Sequence, residues 1–388
     1  MLLCCKHSVE WNLDPTVKKL TEFLKNPHVP WIIQNRLTRL ENSVFFYLNK
    51  AANLHRKQSS ETSIAFVCGY HGNSGGAIAI ASVANLLSRH YRVIFASYPS
   101  SNYNRKLSTR VSVTRDQLPE SDIYICDASC DHEILRTIAA SGKRIIVSCH
   151  GLPEELHGLA PDYIRQSLNL ATRVHFVNPI QQRAFQLDES KVVIIPNTTA
   201  AVPKKSTTNN IGTVGNLDEP RKGAAMTIAA GMLSNADEIH LWSTSSEHWP
   251  QEKVRPHRWE NNKQKIYNSF DVLVFMSTQE TFGLVVIEAM SAGVPCLLQR
   301  LPAFEAYSNC PGVVLTDSED PSELAEHINK LLQQKDSYRD TMRAFFEHYY
   351  SGEAILRRWQ TAIHSLLNDQ QPDASTHEKQ SEARRITT

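Results

Sequence analysis

No stretch of this 388-residue chain reaches the roughly 18 consecutive apolar residues that a membrane-spanning helix requires. Its first residues, MLLCCKHSVEW, lack the basic leader and long apolar core of a secretory signal, so the sequence predicts a cytoplasmic protein. An excess of one charge is missing too. Lysine plus arginine total 41 against 40 acidic residues, a net +1, which argues against a general nucleic-acid binder. The eight cysteines lie scattered, several inside apolar runs, and suit buried thiols better than a disulfide framework. Cys126 and Cys130, in CDASC, have no second Cys/His pair at zinc-finger spacing, so no metal site is predicted. There is no G-x-G-x-x-G and no Walker lysine, which excludes the usual dinucleotide and ATP loops. No D-x-D follows a strand to suggest a metal-bound diphosphate, and no internal repeat appears.

What is present is apolar material, 41% of residues, in a chain long enough for two domains. The first sixty residues carry nine basic and four acidic groups, and Leu37, Leu40, Val44, Leu48 and Ala51 recur at helical spacing. Residues 1–62 therefore read as a helical extension. It either packs on the first domain or docks as a basic amphipathic segment on an anionic membrane surface. From Ser63, short β-branched runs alternate with helical stretches: SIAFVCGY, YRVIFASY, DIYICDA, KRIIVSCHG, RVHFVN and KVVIIPN. Continuous apolar strands separated by helices indicate a parallel sheet covered on both faces. A polar stretch, TTAAVPKKSTTNN, reads as a linker at 198–210, and a second series follows: IGTVGNL, EIHLWS, DVLVFMS, VPCLLQ and GVVLTD. The boundaries are 63–200 for the first domain and 206–345 for the second. A final helix reads at about 346–367, and the polar tail 368–388 is expected to be disordered.

Ligands of doubly wound sheets bind beyond the carboxyl ends of strands, and telling residues stand there. After the first strand, Gly72, Gly75 and Gly76 open a helix, whose N-terminus favours an anion; the plainer reading is a tight strand-to-helix turn. His150 ends RIIVSCHG, placed to bond a hydroxyl or polarise a leaving group, or else to bond nearby backbone. Arg221 and Lys222 precede a helix and form a two-cation site for a diphosphate, or an ordinary exposed turn. In STQETFGLVVIEAMSAGV, Glu280 lies in a turn and Glu288 in the helix that follows, closed by Gly293 and Pro295. The turn uncouples the two carboxylates, so each can serve a different part of one extended ligand. Carboxylates accept from sugar hydroxyls, and the amides of Thr281, Phe282 and Gly283 can meet phosphate oxygens. A nucleotide sugar has that make-up. Alternatively Glu280 caps the helix and Glu288 pairs with a neighbouring cation.

The stretch 271–307, DVLVFMSTQETFGLVVIEAMSAGVPCLLQRLPAFEAY, resembles the E-x(7)-E signature of retaining glycosyltransferases of the GT-B fold, most like family 4. The likeness runs over roughly 63–366, with GGAIAI, SCHG, KVVIIPN, EPRKG and DPSELAEHINKLL in the family's order. It implies an α/β GT-B architecture: two Rossmann-like domains facing a central cleft, here with the helical N-terminal extension. It further implies that Glu280 contacts the donor sugar and Glu288 the ribose. Lys222 would hold the diphosphate, the glycine loop would line the cleft, and His150 would lie near the transferred sugar. The sequence departs from the family at Asn216, where an arginine is usual and for which Arg221 is the available substitute, and at Thr198, where glycine is usual.

The resulting expectation is a metal-independent, cofactor-free retaining glycosyltransferase. It would move a sugar from a UDP- or GDP-sugar to a hydroxyl on a glycan or lipid-linked acceptor, in the setting of cell-envelope polysaccharide or lipopolysaccharide synthesis. The resemblance further implies that the final helix at about 346–367 crosses back to the first domain, that attack comes from the face the diphosphate leaves, and that a donor phosphate oxygen takes the acceptor proton. A nucleotide-sugar epimerase or a phosphorylase on the same fold, and a catalytically inactive carbohydrate-binding scaffold, are the alternatives.

Overall fold

The computed structural model describes residues 39–40, 42–44, 46–47, 62–69, 75–96, 103, 106–108, 110–114, 118–153, 161–243 and 252–368. Gly72, most of the N-terminal extension and the tail beyond Asn368 lie outside the described residues.

In the first domain, β1 (Ser63–Val67) leads to α1 (Gly75–Leu87), β2 (Arg92–Ala96), β3 (Ser112–Thr114) and β4 (Ile123–Asp127). Then come α2 (His132–Ala140), β5 (Arg144–Cys149), α3 (Pro161–Leu170), β6 (Arg173–Phe176), α4 (Pro179–Phe185) and β7 (Val192–Ile194). The sheet order is β3-β2-β1-β4-β5-β6-β7, parallel throughout. The central strands β1 and β4 are buried along their whole length, because helices cover both faces.

The second domain repeats the plan. Its elements are β8 (Ile211–Gly215), α5 (Ala224–Leu233), β9 (Ile239–Ser243), β10 (Val254–Arg258), α6 (Lys263–Tyr267) and β11 (Val272–Phe275). They continue with α7 (Leu284–Ala292), β12 (Cys296–Gln299), β13 (Val313–Thr316) and α8 (Pro321–Tyr349), after which α9 (Gly352–Asn368) closes the described chain. Order β10-β9-β8-β11-β12-β13 is again parallel. Each sheet winds outward from its first strand in both directions, so a topological switch point lies at β1/β4 and another at β8/β11. The architecture is the pair of doubly wound sheets that GT-B implies.

The carboxyl ends of the two sheets face one another. Asn178, just past β6, donates through Nδ2 to the Ala303 carbonyl beyond β12 at 3.0 Å. A methyl placed on Gly75 would come within 3.7 Å of Leu284 Cδ1 at the start of α7. The last helix, α9, joins the first domain's core through Ile355, Leu356, Trp359, Ile363 and Leu366.

Two readings need correction. The N-terminal helical face was expected to run through Leu40 and Val44, yet these are 53% and 41% exposed while Phe46 is 1% exposed in the first domain's core. Helical spacing finds an apolar stripe but not which stripe packs, and a large aromatic such as Phe46 is a strong anchor for the packed face. Leu37, Leu48 and Ala51 lie outside the described residues. The stretch at 198–210 is not merely a polar linker. Thr198 donates to the Tyr350 carbonyl at 2.6 Å, so the residue that replaces the family glycine ties the crossover to the α8–α9 junction. Lys204 is buried, pairs with Asp271 at 2.9 Å and donates to the carbonyls of Tyr267 and Phe270. No helix among the described residues is long and apolar enough to cross a membrane.

Candidate active site

The site is assembled at the β8/β11 switch point. After β8 the chain makes a single tight turn, Pro220–Lys222, and ends it at Gly223 with φ +67°. A side chain there would place Cβ 2.1 Å from the Met276 carbonyl oxygen. Glycine is required on both counts, since the left-handed region and the close backbone approach each exclude a Cβ. That approach lays the turn on the end of β11, where Thr278 N donates to the Arg221 carbonyl at 2.8 Å.

The consequence is contact between residues 58 apart in sequence: the Lys222 ammonium is hydrogen-bonded to Glu280 Oε1. Their side chains keep 15% and 13% exposure, so the pair is largely dry yet open on one side. Ser277 Oγ also donates to Glu280 Oε1, at 3.3 Å. Glu280 does not cap α7, whose N-cap is Gly283 at φ +81°. Thr281 and Phe282 are buried in the same turn, held by Tyr307, whose hydroxyl donates to the Phe282 carbonyl at 2.8 Å.

Arg221 turns differently from Lys222. Its guanidinium pairs with Glu219 at 2.5 Å and donates to the Gln279 carbonyl at 3.1 Å. Asn216, at the position of the usual family arginine, donates to Glu219 at 2.7 Å. Burial raises the Glu219 carboxyl, but the Asn216 hydrogen bond and the charges of Arg221 and Lys222 outweigh it and hold its pKa below the ordinary value.

Glu288 lies one helix further along and is buried. Tyr267 donates to its Oε2 at 2.9 Å, and Lys263 pairs with the same oxygen at 3.1 Å. Sequence reading missed both partners. The available signal was their four-residue spacing in KQKIY, which puts them on one face of α6. Lys263 also stands over the Trp259 ring, 4.6 Å from its centroid.

Gly75 and Gly76 open α1 on the facing domain, with Gly75 next to Leu284 as above. His150 follows β5, and its Nε2 lies 2.9 Å from Ser148 Oγ. Ser148 in turn lies 2.8 Å from His175 Nδ1, and His175 Nε2 lies 2.8 Å from the Ile195 carbonyl oxygen. Trp359 of α9 packs on His175, 4.7 Å between ring centroids. Sequence reading missed Ser148 and His175. The structure thus brings Lys222 and Glu280 into contact and sets Arg221 beside them. Glu288 has partners of its own, and His150 bonds within the first domain.

Burial, and secondarily the neighbouring His175, pushes His150 down to about 3, against the opposing influence of the polar Asn197 side chain nearby. Burial pushes His175 down to about 4, against its bond to the Ile195 carbonyl. Both folded values lie below the ordinary ~6.5 of an unfolded histidine, so the unfolded chain binds more protons between those limits. The stability this pair contributes is complete above pH ~6.5 and is lost as pH falls toward 4, by up to about 2.7 kcal/mol per pH unit. Urea unfolding from pH 7 to pH 5 checks this. Burial lowers His240 and His257 as well, so the first-domain share is read by difference: His150→Gln should flatten the slope by about 1.4 kcal/mol per pH unit.

Residues 167–345 match the family model "Glycosyl transferases group 1". Among curated proteins, D-inositol 3-phosphate glycosyltransferase of Corynebacterium jeikeium is 29% identical over 119 residues, 30% of this chain and 27% of that protein. N-acetyl-alpha-D-glucosaminyl L-malate synthase of Bacillus anthracis is 26% identical over 114 residues, 28% of this chain and 30% of that protein. Lipopolysaccharide glucosyltransferase WaaG of Escherichia coli is 27% identical over 138 residues, 35% and 32% of the two chains. The matched segment spans about a third or less of the length of these relatives. Among solved structures, Alr3699/HepE of Anabaena in complex with UDP superposes with a TM-score of 0.64 at 16% identity, over 78% of this chain and 100% of the other. Sucrose-phosphate synthase from Thermosynechococcus elongatus gives 0.63 at 15% identity, over 80% and 100%. The fold is that of the GT-B glycosyltransferases.

Proposed function

We propose that this protein is a retaining glycosyltransferase of the family 4 type, moving a sugar from a nucleoside-diphosphate sugar to a hydroxyl acceptor. The observation that carries the reading is the Lys222–Glu280 contact at the second sheet's switch point, a cation and a carboxylate that folding brings together from distant segments. In this reading Lys222 and Arg221, with the first amides of α7 at Thr281, Phe282 and Gly283, take the charge of the departing diphosphate. Glu280 meets the transferred sugar and Glu288 the ribose. Gly75 and Gly76 let the first domain close on the donor. The acceptor oxygen attacks the anomeric carbon from the face the diphosphate leaves, and a donor phosphate oxygen takes its proton. UDP is the favoured nucleotide, because Alr3699/HepE of Anabaena, similar in fold, was solved with UDP and with UDP-glucose. A glycan or lipid-linked hydroxyl of the cell envelope is the proposed acceptor, with WaaG among the relatives.

The test is Glu280→Gln. The neutral amide keeps the size but loses the charge that would act on the sugar as bond breaking builds positive character there. Turnover should fall at least a hundredfold, or about 2.7 kcal/mol of barrier, with donor affinity within a fewfold of wild type. Wild-type turnover in the folded variant would remove Glu280 from the mechanism. Isomerised donor in place of transfer would indicate an epimerase, and nucleotide binding without any turnover an inactive module.

A further inference from the structure

The hydrogen bonds beneath His150 have a fixed direction. The Ile195 carbonyl only accepts, so His175 Nε2, 2.8 Å away, carries its proton. The neutral His175 ring then has a bare Nδ1, which must accept from the Ser148 hydroxyl at 2.8 Å. Ser148 has only that one proton. Toward His150 Nε2, 2.9 Å away, its oxygen can therefore only accept, and His150 Nε2 is the donor. The chain of donors runs from His150 through Ser148 and His175 to the backbone at Ile195. His150 Nδ1 is buried, without a hydrogen-bond partner in the structure.

We infer that Ser148 and His175 are positioning residues that lock His150 in its Nε2–H tautomer, leaving Nδ1 as a lone-pair acceptor reserved for a ligand hydroxyl. This narrows the role of His150, and it rests on the proposed function for the identity of that ligand. Of the two roles open to His150 from its sequence position, the arrangement selects the first. A bare Nδ1 accepts from a sugar hydroxyl and cannot donate a proton to the departing diphosphate. Leaving a buried acceptor unpaired disfavours the empty site, and an arriving hydroxyl removes that penalty. The C-terminal helix takes part, since Trp359 packs against the His175 ring and fixes its plane.

The experiment is nitrogen-15 correlation spectroscopy of the full chain with labelled histidine at pH 7, assigning His150 and His175 by His150→Gln and His175→Gln. The expected spectrum shows both rings as Nε2–H with a bare Nδ1. In Ser148→Ala, which removes the acceptor for His150 Nε2 with little change in volume, the His150 signals should move toward a mixture of tautomers. An Nδ1–H form at His150 in the wild-type protein overturns the inference, as does an unchanged His150 tautomer in Ser148→Ala. Should that variant not fold, the wild-type spectrum decides. In turnover, Ser148→Ala should lose about tenfold in kcat with affinity for the free nucleotide unchanged. A protein that turns over no nucleotide sugar would defeat the proposed function while leaving the tautomer result intact.

Discussion

Lys222→Ala should bind nucleoside diphosphates far more weakly than wild type and lose between about thirtyfold and a thousandfold or more in kcat/KM. Two effects add. The diphosphate loses its cation, and Glu280, 13% exposed, stays behind as an unpaired carboxylate facing an incoming anion. Removing one partner of a desolvated charge pair costs about 2–5 kcal/mol, and each 1.4 kcal/mol is tenfold. Arg221→Ala should cost less, about tenfold, because its guanidinium is shared with Glu219 and the Gln279 carbonyl and is more exposed. Calorimetric titration of UDP and GDP into each folded variant provides the comparison. Wild-type affinity in Lys222→Ala would remove the lysine from the site. An Arg221→Ala effect larger than that of Lys222→Ala would reverse the assignment of the main cation.

The largest effect on stability is expected at Asp271. Its carboxylate is 1% exposed and holds Lys204 at 2.9 Å and Lys335 at 3.2 Å, while Thr208 N donates to it at 2.5 Å. This one group ties the interdomain segment and α8 to the start of β11. Asp271→Ala leaves the equally buried Lys204 without its counter-charge, and breaking a buried pair in this way costs about 3–5 kcal/mol. Replacing both partners, as in Lys204→Met with Asp271→Leu, should recover much of that loss, since apolar groups of similar volume often substitute for a buried pair at little net cost. Urea unfolding followed by tryptophan fluorescence measures both. A single variant within 1 kcal/mol of wild type would show that Asp271 is not the anchor described.

Sequence reading found the strands that are apolar runs, whether buried throughout like β1 and β4 or only partly like β2, β7 and β13, and passed over two that are not. β1, β4, β9 and β11 are apolar runs because helices cover both their faces. β3, with the sequence SVT, and β10, with VRPHR, went unread. Each is one of the two edge strands of its sheet, where solvent admits polar residues such as the arginines of β10 and where proline is tolerated because one side of the ladder is unpaired.

The candidate site was legible for a different reason. Glycines and charged residues immediately after apolar strands are conspicuous, so Lys222, Glu280, Glu288 and His150 could be named from their positions. Their partners were not legible. That Lys222 reaches Glu280 depends on Gly223 lying against the Met276 carbonyl, a long-range approach that no local pattern encodes. Ser148 and His175 sit inside strands and look like ordinary core-strand residues until the parallel register sets them opposite one another. Lys204 was misjudged because a lysine in a Ser/Thr-rich stretch ordinarily belongs to solvent, and only its distant partner Asp271 gives it a place inside.

The central claim is that the β8/β11 switch point holds a nucleoside diphosphate that carries a sugar. The most direct measurement is phosphorus and proton NMR of the wild-type protein incubated with UDP-, GDP- and ADP-sugars and a hydroxyl acceptor. Release of free nucleoside diphosphate from at least one donor, with the anomeric configuration of that donor kept in the product, is the predicted result. No binding of any nucleoside diphosphate or nucleotide sugar, by the folded protein at millimolar ligand, would contradict it.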